Sequence, residues 1–483
     1  MTKTAASISK ELAQNSSYFK PYLKSNGDVI SRRFYIQQSE VEMVYLQGLS
    51  DSEQVNKDVL KTLMAFQEEI TEENIINRLN VTGLTTAASV DDAIHALFNG
   101  TTVLYIDGVP TMFLIHLIKQ KSRSMEEPIT EMVVRGPRVG FLESLQDNTT
   151  ILRQRANDPR LVIEEMEVGT RNRKKIAIVY YQEIANPKIV ERAKKRVEHI
   201  DIDDMADTGL LEQFVEDTWK SPFPQIQNTE RPDRVIAALL DGKVSYLLDG
   251  SPFALIVPST FHDFLKSPED YYDRWLPGTL LRLLRYLSIL LTIFLPALYI
   301  AFVSFHSGLL PSSLAFSIAS ARTDVPFPAF IEAMIMEVTI ELLREAGLRL
   351  PRPIGQTLGL VGGVIIGQAA VEAKIVSPIM IIIVAITAIA SFTIPKYELG
   401  VTFRMLRFMA MIMASIFGIF GIFLFIVMVS VHLMKLTSFG VHYFTPLNPT
   451  NQYTWRDVLI RMPFRSLKFR NNIVRPLDKK RQK

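Results

Sequence analysis

The chain has no cysteine in 483 residues. That excludes disulfides, thiolate catalysis and cysteine-based zinc sites. Its seven histidines (His95, His116, His199, His262, His306, His432 and His442) are scattered, and none has a partner at metal-ligand spacing. A G-x-x-x-x-G-K-[ST] phosphate loop, H-E-x-x-H and G-x-S-x-G are all missing. No catalytic constellation stands out, so the expectation is a non-enzyme with no cofactor and no bound metal. Asp201, Asp203, Asp204 and Asp207 cluster without the glycine and closing glutamate of a calcium loop, which suits a solvated turn. A formal charge of +3 gives no reason to expect nucleic acid as a partner. The opening MTKTAASISKELAQNSSYFK lacks the apolar core of a signal peptide, so the N-terminal region is expected in the cytoplasm.

Long apolar runs are absent from residues 1–280 and crowd residues 281–440. The soluble part contains a repeat. Asp91–Ile115, DDAIHALFNGTTVLYIDGVPTMFLI, aligns without a gap on Asp233–Val257, DRVIAALLDGKVSYLLDGSPFALIV. Gly100 meets Gly242, Asp107 meets Asp249, Gly108 meets Gly250 and Pro110 meets Pro252. Each copy reads as helix, glycine stop, strand, Asp-Gly turn, strand. Ile176–Tyr181 adds a buried strand, Pro187–Ile200 a helix, and Met132–Gly140 a strand end and turn between the halves.

The expected fold is an α/β soluble N-terminal region of two related subdomains, followed by an α-helical polytopic membrane domain. The segments are 1–80, a poorly defined extension; 81–140, a first subdomain open to including part of 1–80; 141–278, a second subdomain; 279–440, the membrane domain; and 441–483, a basic tail. From Arg456 onward, ten Lys/Arg stand against two Asp. Such a tail suits either an anionic lipid surface or a solubilising end.

Tyr286–Phe305, Ile354–Val371, Ile375–Ile394 and Phe408–Met434 read as spans. In the second, Gly355, Gly359, Gly363 and Gly367 make one stripe on a helix. Small residues at that spacing let helices pack closely. Val361, Val364 and Ile365 could also form an apolar gate of a pore, and both readings stay open. Pro326–Leu350 carries Glu337, Glu341 and Glu345 on one face, with Arg344 placed to pair with Glu341. It is either an acidic vestibule for cations or a re-entrant or interfacial helix held by structural ion pairs. The proline-rich run Ser221–Arg234, with Pro222, Phe223, Pro224, Glu230, Arg231, Pro232 and Asp233, is either a coupling loop or a structural crossover capped by Asp233.

Several long strings are similar to a known family. SPFPQIQNTERPD (Ser221–Asp233), REAGLRLPRPIGQT (Arg344–Thr357), GLVGGVIIGQAAVEA (Gly359–Ala373), VVRGPRV (Val133–Val139) and SPEDYYDRW (Ser267–Trp275) resemble the A subunit of GerA-type spore germinant receptors. The resemblance runs from about residue 90 to 440. It implies a multi-pass protein of the inner membrane of bacterial endospores. It implies a complex with a transporter-like B subunit and a lipoprotein C subunit, triggered by nutrients. In the family the A subunit looks like an oligomeric, pentameric, ion-conducting element. A non-conducting transduction scaffold and a secondary transporter are the rival readings.

Overall fold

A computed structural model describes residues 7–79, 81, 83–119, 127–128, 130–350, 365–445 and 457–482. The soluble region is framed by two five-stranded antiparallel sheets. The first holds β1 (Val29–Ile36), β2 (Ser39–Leu46), β3 (Leu84–Thr86), β4 (Thr102–Ile106) and β5 (Met112–Ile115), in the order β1-β2-β4-β5-β3. The second holds β6 (Leu161–Val168), β7 (Lys174–Tyr181), β8 (Gln227–Thr229), β9 (Val244–Leu248) and β10 (Ala254–Val257), in the order β6-β7-β9-β10-β8. The two orders are the same, so the sequence repeat is a repeat of topology.

Helices α1 (Leu12–Ser25) and α2 (Val90–Phe98) serve the first sheet, and α3 (Leu145–Ala156), α4 (Pro187–Glu198), α5 (Thr208–Val215) and α6 (Pro232–Leu240) the second. β4 is buried along its whole length. Val103 and Tyr105 join the core under α1 and α2, while Leu104 and Ile106 join the core on the opposite face. That two-residue alternation is why TVLYI reads as an unbroken apolar run.

The turn chemistry explains the matched residues. Gly108 and Gly250, at the Asp-Gly turns, hold φ of +90° and +88°, a region that side chains avoid. The neighbouring aspartates do a second job. Asp107 accepts from the Leu12 amide and Asp249 from the Leu145 amide, each at 3.0 Å, at the first residues of α1 and α3. Inside those helices, Asn15 exchanges two hydrogen bonds with the backbone of Ser9, and Asn148 does the same with Leu142. The repeat therefore reaches back to α1, and within residues 1–80 lie two strands of the first sheet, α1 and two further helical stretches, 52–64 and Glu72–Arg78, that pack into the core on the sheet's other face. Met132–Gly140, expected as a strand end and turn, is irregular; Arg231 donates to the Pro137 carbonyl and Glu269 accepts from the Val134 amide where a ladder would have bonded.

One buried ion pair ties the subdomains together. Arg153, on α3, gives Nε and a terminal nitrogen to Asp28 at 2.7 and 2.9 Å, and further bonds to Asn26 and the Leu161 carbonyl. Asn26 in turn accepts from the Ile163 amide of β6.

The C-terminal region is helical: α7 (Trp275–Ser304), α8 (Ala329–Arg349), α9 (Pro378–Phe392) and α10 (Tyr397–Lys435). Among the described residues, α7 and α10 are long and apolar enough to cross a membrane. α10 has 39 residues and would reach about 58 Å if straight. Instead it reverses at Gly418, whose φ is +62°. A Cβ there would lie 2.8 Å from the His306 ring, and one on Gly421 would lie 2.0 Å from the Met413 carbonyl oxygen. The stretch 408–434, expected to cross once, is thus a helical hairpin whose tip lies against the far end of α7. α8 packs into the helical core through its first turns: Ala329, Ala333 and Met336 are buried with residues of α7, α9 and α10.

Replacing Asp28 with alanine strands the buried Arg153 charge and should cost about 3–5 kcal/mol. Thermal denaturation of the full chain checks this, and the double change Asp28→Leu with Arg153→Met should recover most of the loss.

Candidate functional site

The run Ser221–Arg234 is mostly buried rather than an exposed loop. Gln227–Thr229 pairs with β10 as an edge strand. Pro232 opens α6, where its missing amide hydrogen costs nothing. Arg231, not Asp233, occupies the helix cap position. Asp233 instead accepts from Arg231 at 3.0 Å and from the Tyr272 hydroxyl. Arg231 is fully buried and reaches the carbonyl oxygen of Pro137 at 2.8 Å. Glu230 accepts from the Thr130 amide at 3.1 Å.

The start of this run sits on both arms of the α10 hairpin. Thr402, on the outgoing arm, donates to the Pro222 carbonyl at 2.5 Å. His432, on the returning arm, bonds the Ser221 hydroxyl at 2.9 Å. Phe223 is buried between them, within ring contact of Phe261, His432 and Tyr443. Asn228, further along, donates to Glu398 in the first turn of α10 at 2.5 Å. Lys396, just before α10, bonds Glu131 and the Asn228 carbonyl. Pro222, Phe223 and Asn228 therefore touch the helices directly, while Glu230, Arg231 and Asp233 knit the base of the run.

A second contact lies at the root of α7. Asp270 is buried and pairs with Arg285 at 2.8 Å and Arg282 at 3.4 Å. Arg282 also holds Asp457 at 2.9 Å. The basic tail is folded back here: Arg461 bonds the Asp270 carbonyl at 3.1 Å, and Val474 enters the core of the second subdomain.

The acidic face of α8 is divided among partners. Glu337 pairs with Arg407 at 3.0 Å, both 1% exposed. Glu341 pairs with Arg404 at 3.0 Å. Glu345 pairs with Arg349 on the surface. Arg344 does not take Glu341; it bonds Ser391 at 2.8 Å. Glu332, one turn before Glu337, is buried against Arg322 and accepts from the Ser377 amide. In the glycine stripe, Gly355, Gly359 and Gly363, with Val361 and Val364, lie outside the described residues. Ile365 and Gly367 belong to helical residues 365–372, and Ile365 is exposed.

Sequence reasoning missed Thr402, His432, Glu131, Lys396, Asp270 and Asp457. For the α8 ion pairs alone there was a signal in Arg404 and Arg407, two arginines on an apolar helix that call for buried acids.

Charge is unevenly tuned at this joint. Burial pushes the Glu131 carboxyl up, but Arg234 and Lys396 outweigh it and hold it at about 2. Burial, reinforced by the charges of Glu398 and Glu216, pushes Glu212 on α5 up to about 8. Burial lowers His262 to about 4, and its Nδ1 faces the Tyr286 hydroxyl at 2.8 Å. Among the described residues, no group of acids and histidines could hold a metal ion.

The chain matches the family described as Bacillus/Clostridium GerA spore germination protein over residues 17–473. It is 43% identical over 453 residues to Spore germination protein A1 of Bacillus subtilis (strain 168), covering 94% of each chain. It is 44% identical over 481 residues to Spore germination protein B1 of the same organism, covering 99% of this chain and 100% of that one. A crystal structure of the N-terminal domain of the A subunit of the Bacillus megaterium spore germinant receptor GerK3 is 27% identical, with a TM-score of 0.41, and the match covers 54% of this chain and 99% of that one.

Glu212 also sets a pH dependence. A carboxyl whose folded-state pKa is raised from 4.5 to about 8 keeps its proton longer in the folded chain. Its stabilising contribution is complete below 4.5 and fades as pH rises towards 8. Glu212→Gln should therefore flatten the fall in melting temperature between about pH 5 and pH 8, measured on the full chain in detergent. An unchanged slope would contradict the assignment.

Proposed function

Since this chain belongs to the GerA family of spore germination proteins, we propose that it is a membrane subunit of a nutrient-sensing spore germination receptor and an ion-conducting element of that receptor. Its place is the inner membrane of the endospore, as a multi-pass protein, with the two-sheet region on the cytoplasmic, spore-core side. It works with a transporter-like B subunit and a lipoprotein C subunit, and self-associates as a pentamer around a conduction path.

The observation that carries this reading is the joint. Ser221, Pro222 and Phe223 of the soluble region touch both arms of an apolar helical hairpin. A shift in the soluble region therefore moves two helices at once. The rest supports it. The outer faces of the helices expose apolar side chains such as Leu287, Leu290, Ile382, Ile389, Phe420 and Phe423, as a lipid or subunit contact demands. Glu337 and Glu341 are engaged by arginines, which fits a closed state whose acidic face is not yet offered to cations. Opening exchanges those pairs, and the glycine-striped stretch Gly355–Gly367 with Val361, Val364 and Ile365 forms the gate. Moving a closed-to-open ratio from about 1:99 to 99:1 needs about 5.5 kcal/mol of differential binding, a sum that several partner subunits can share.

Ion flux from vesicles carrying the chain tests the proposal. Gly363→Ala and Val361→Ala should leak where the parent chain is silent, and Glu337→Gln, which leaves Arg407 unpaired, should leak as well. Tight vesicles with every folded, assembled variant would move the reading to a non-conducting scaffold.

A further inference from the structure

Near the joint, where the C-terminal end of α8 meets the turn between α9 and α10, lies a cavity of about 400 Å³. That is within the range of about 300–1,000 Å³ common for small-molecule sites. The soluble region forms one wall, through Glu131 and Asn228; Arg344, Ser391, Lys396 and Arg404 form the other.

Two acids, Glu131 and Glu398, also line it, and both have partners. Glu131 is held by Arg234 and Lys396, and Glu398 accepts from Asn228. Arg404 gives its Nε to Glu341 and lies over the Tyr397 ring. Arg344 is different. One terminal nitrogen goes to Ser391 at 2.8 Å, and its guanidinium lies 4.6 Å from the centre of the Phe392 ring. Its Nε is enclosed and has no hydrogen-bond partner among the described residues. That nitrogen is closed off from the cavity too, so a ligand there meets the terminal nitrogens of the guanidinium, a planar donor edge that suits an anion.

The mouth says what the acceptor is. Leu348, Phe392 and Tyr397 line it and are 60%, 72% and 57% exposed. A planar guanidinium fork suits a phosphate, and apolar and aromatic side chains beside it suit acyl chains. A free phosphate would use the arginines but leave that rim uncovered. The cavity also sits at the ends of the helices that adjoin the soluble region, the level of the headgroups once those helices lie in a bilayer.

We propose that this recess binds the phosphate of an anionic phospholipid, with Arg344 as the main donor and Arg404 beside it. The inference rests on the membrane reading given above. A bound lipid would bridge α8 to the α9–α10 turn, and through Lys396 and Asn228 it would bear on the joint.

Native mass spectrometry of the detergent-solubilised full chain tests it, with short-chain phosphatidylglycerol, short-chain phosphatidylcholine and inorganic phosphate as probes. Phosphatidylglycerol should bind at least about fivefold more tightly than phosphatidylcholine, and inorganic phosphate at matched concentration should not displace it. Arg344→Gln should erase that preference, bringing phosphatidylglycerol down to the level of phosphatidylcholine; should that variant not fold, the lipid comparison on the parent chain and on Phe392→Ala decides. Equal retention of the two lipids, an undiminished preference in Arg344→Gln, or displacement by inorganic phosphate would each overturn the proposal. Failure of the membrane reading registers separately, as release of the chain from membranes by an alkaline wash.

Discussion

Two hydrogen bonds set the geometry on which the rest depends: Thr402 to the Pro222 carbonyl and His432 to the Ser221 hydroxyl. Their partners are consecutive residues of the soluble region, while their owners sit on opposite arms of one hairpin. Such a hairpin needs a tip that reverses without a side chain, which Gly418 and Gly421 provide. It also needs a platform that stays rigid. The fully buried Arg231, the edge strand Gln227–Thr229 and the proline-initiated α6 fix the backbone that carries Ser221 and Pro222.

Electrostatics repeats this logic at each level. Asp28 with Arg153 joins the two subdomains, Asp270 with Arg285 roots α7, and Glu337 with Arg407 crosses the helical core. Each pair is buried, so its Coulomb gain is largely offset by desolvation and its net contribution to stability is modest. Breaking one half is expensive, however, because a charge is left behind. Pairs of this kind favour a few discrete arrangements over gradual distortion, the property that a two-state membrane assembly requires.

The sequence made the α/β repeat legible because its signals are local: a helix stop, an Asp-Gly turn and two short apolar strands. It hid the earlier half of the repeat, since Asn15 and Asn148 match only after the spacing changes, and their role depends on backbone contacts that no pattern displays. The acidic face of α8 was visible, whereas its pairing was not, because Arg404 and Arg407 come from a helix distant in the chain. The proline-rich run stood out as unusual. That it would touch two arms of one helix could not be read while 408–434 passed for a single span: nothing in a long apolar stretch distinguishes a straight helix from one folded at Gly418. The tail read as lipid-facing or solubilising because its basic residues dominate, although Asp457 and Val474 tie it to the rest of the chain.

The central claim is that the soluble region commands the hairpin through Ser221 and Pro222. A chain without cysteine allows a clean test. Cysteines placed by Ser221→Cys and His432→Cys can be joined by a short bismaleimide in the assembled receptor, and nutrient-evoked ion flux compared before and after. The account predicts that either single variant, which breaks the Ser221–His432 contact, weakens evoked flux and that the bridge in the double variant restores it. Full flux from the single variants, or a bridged receptor no better than its unbridged form, would contradict it.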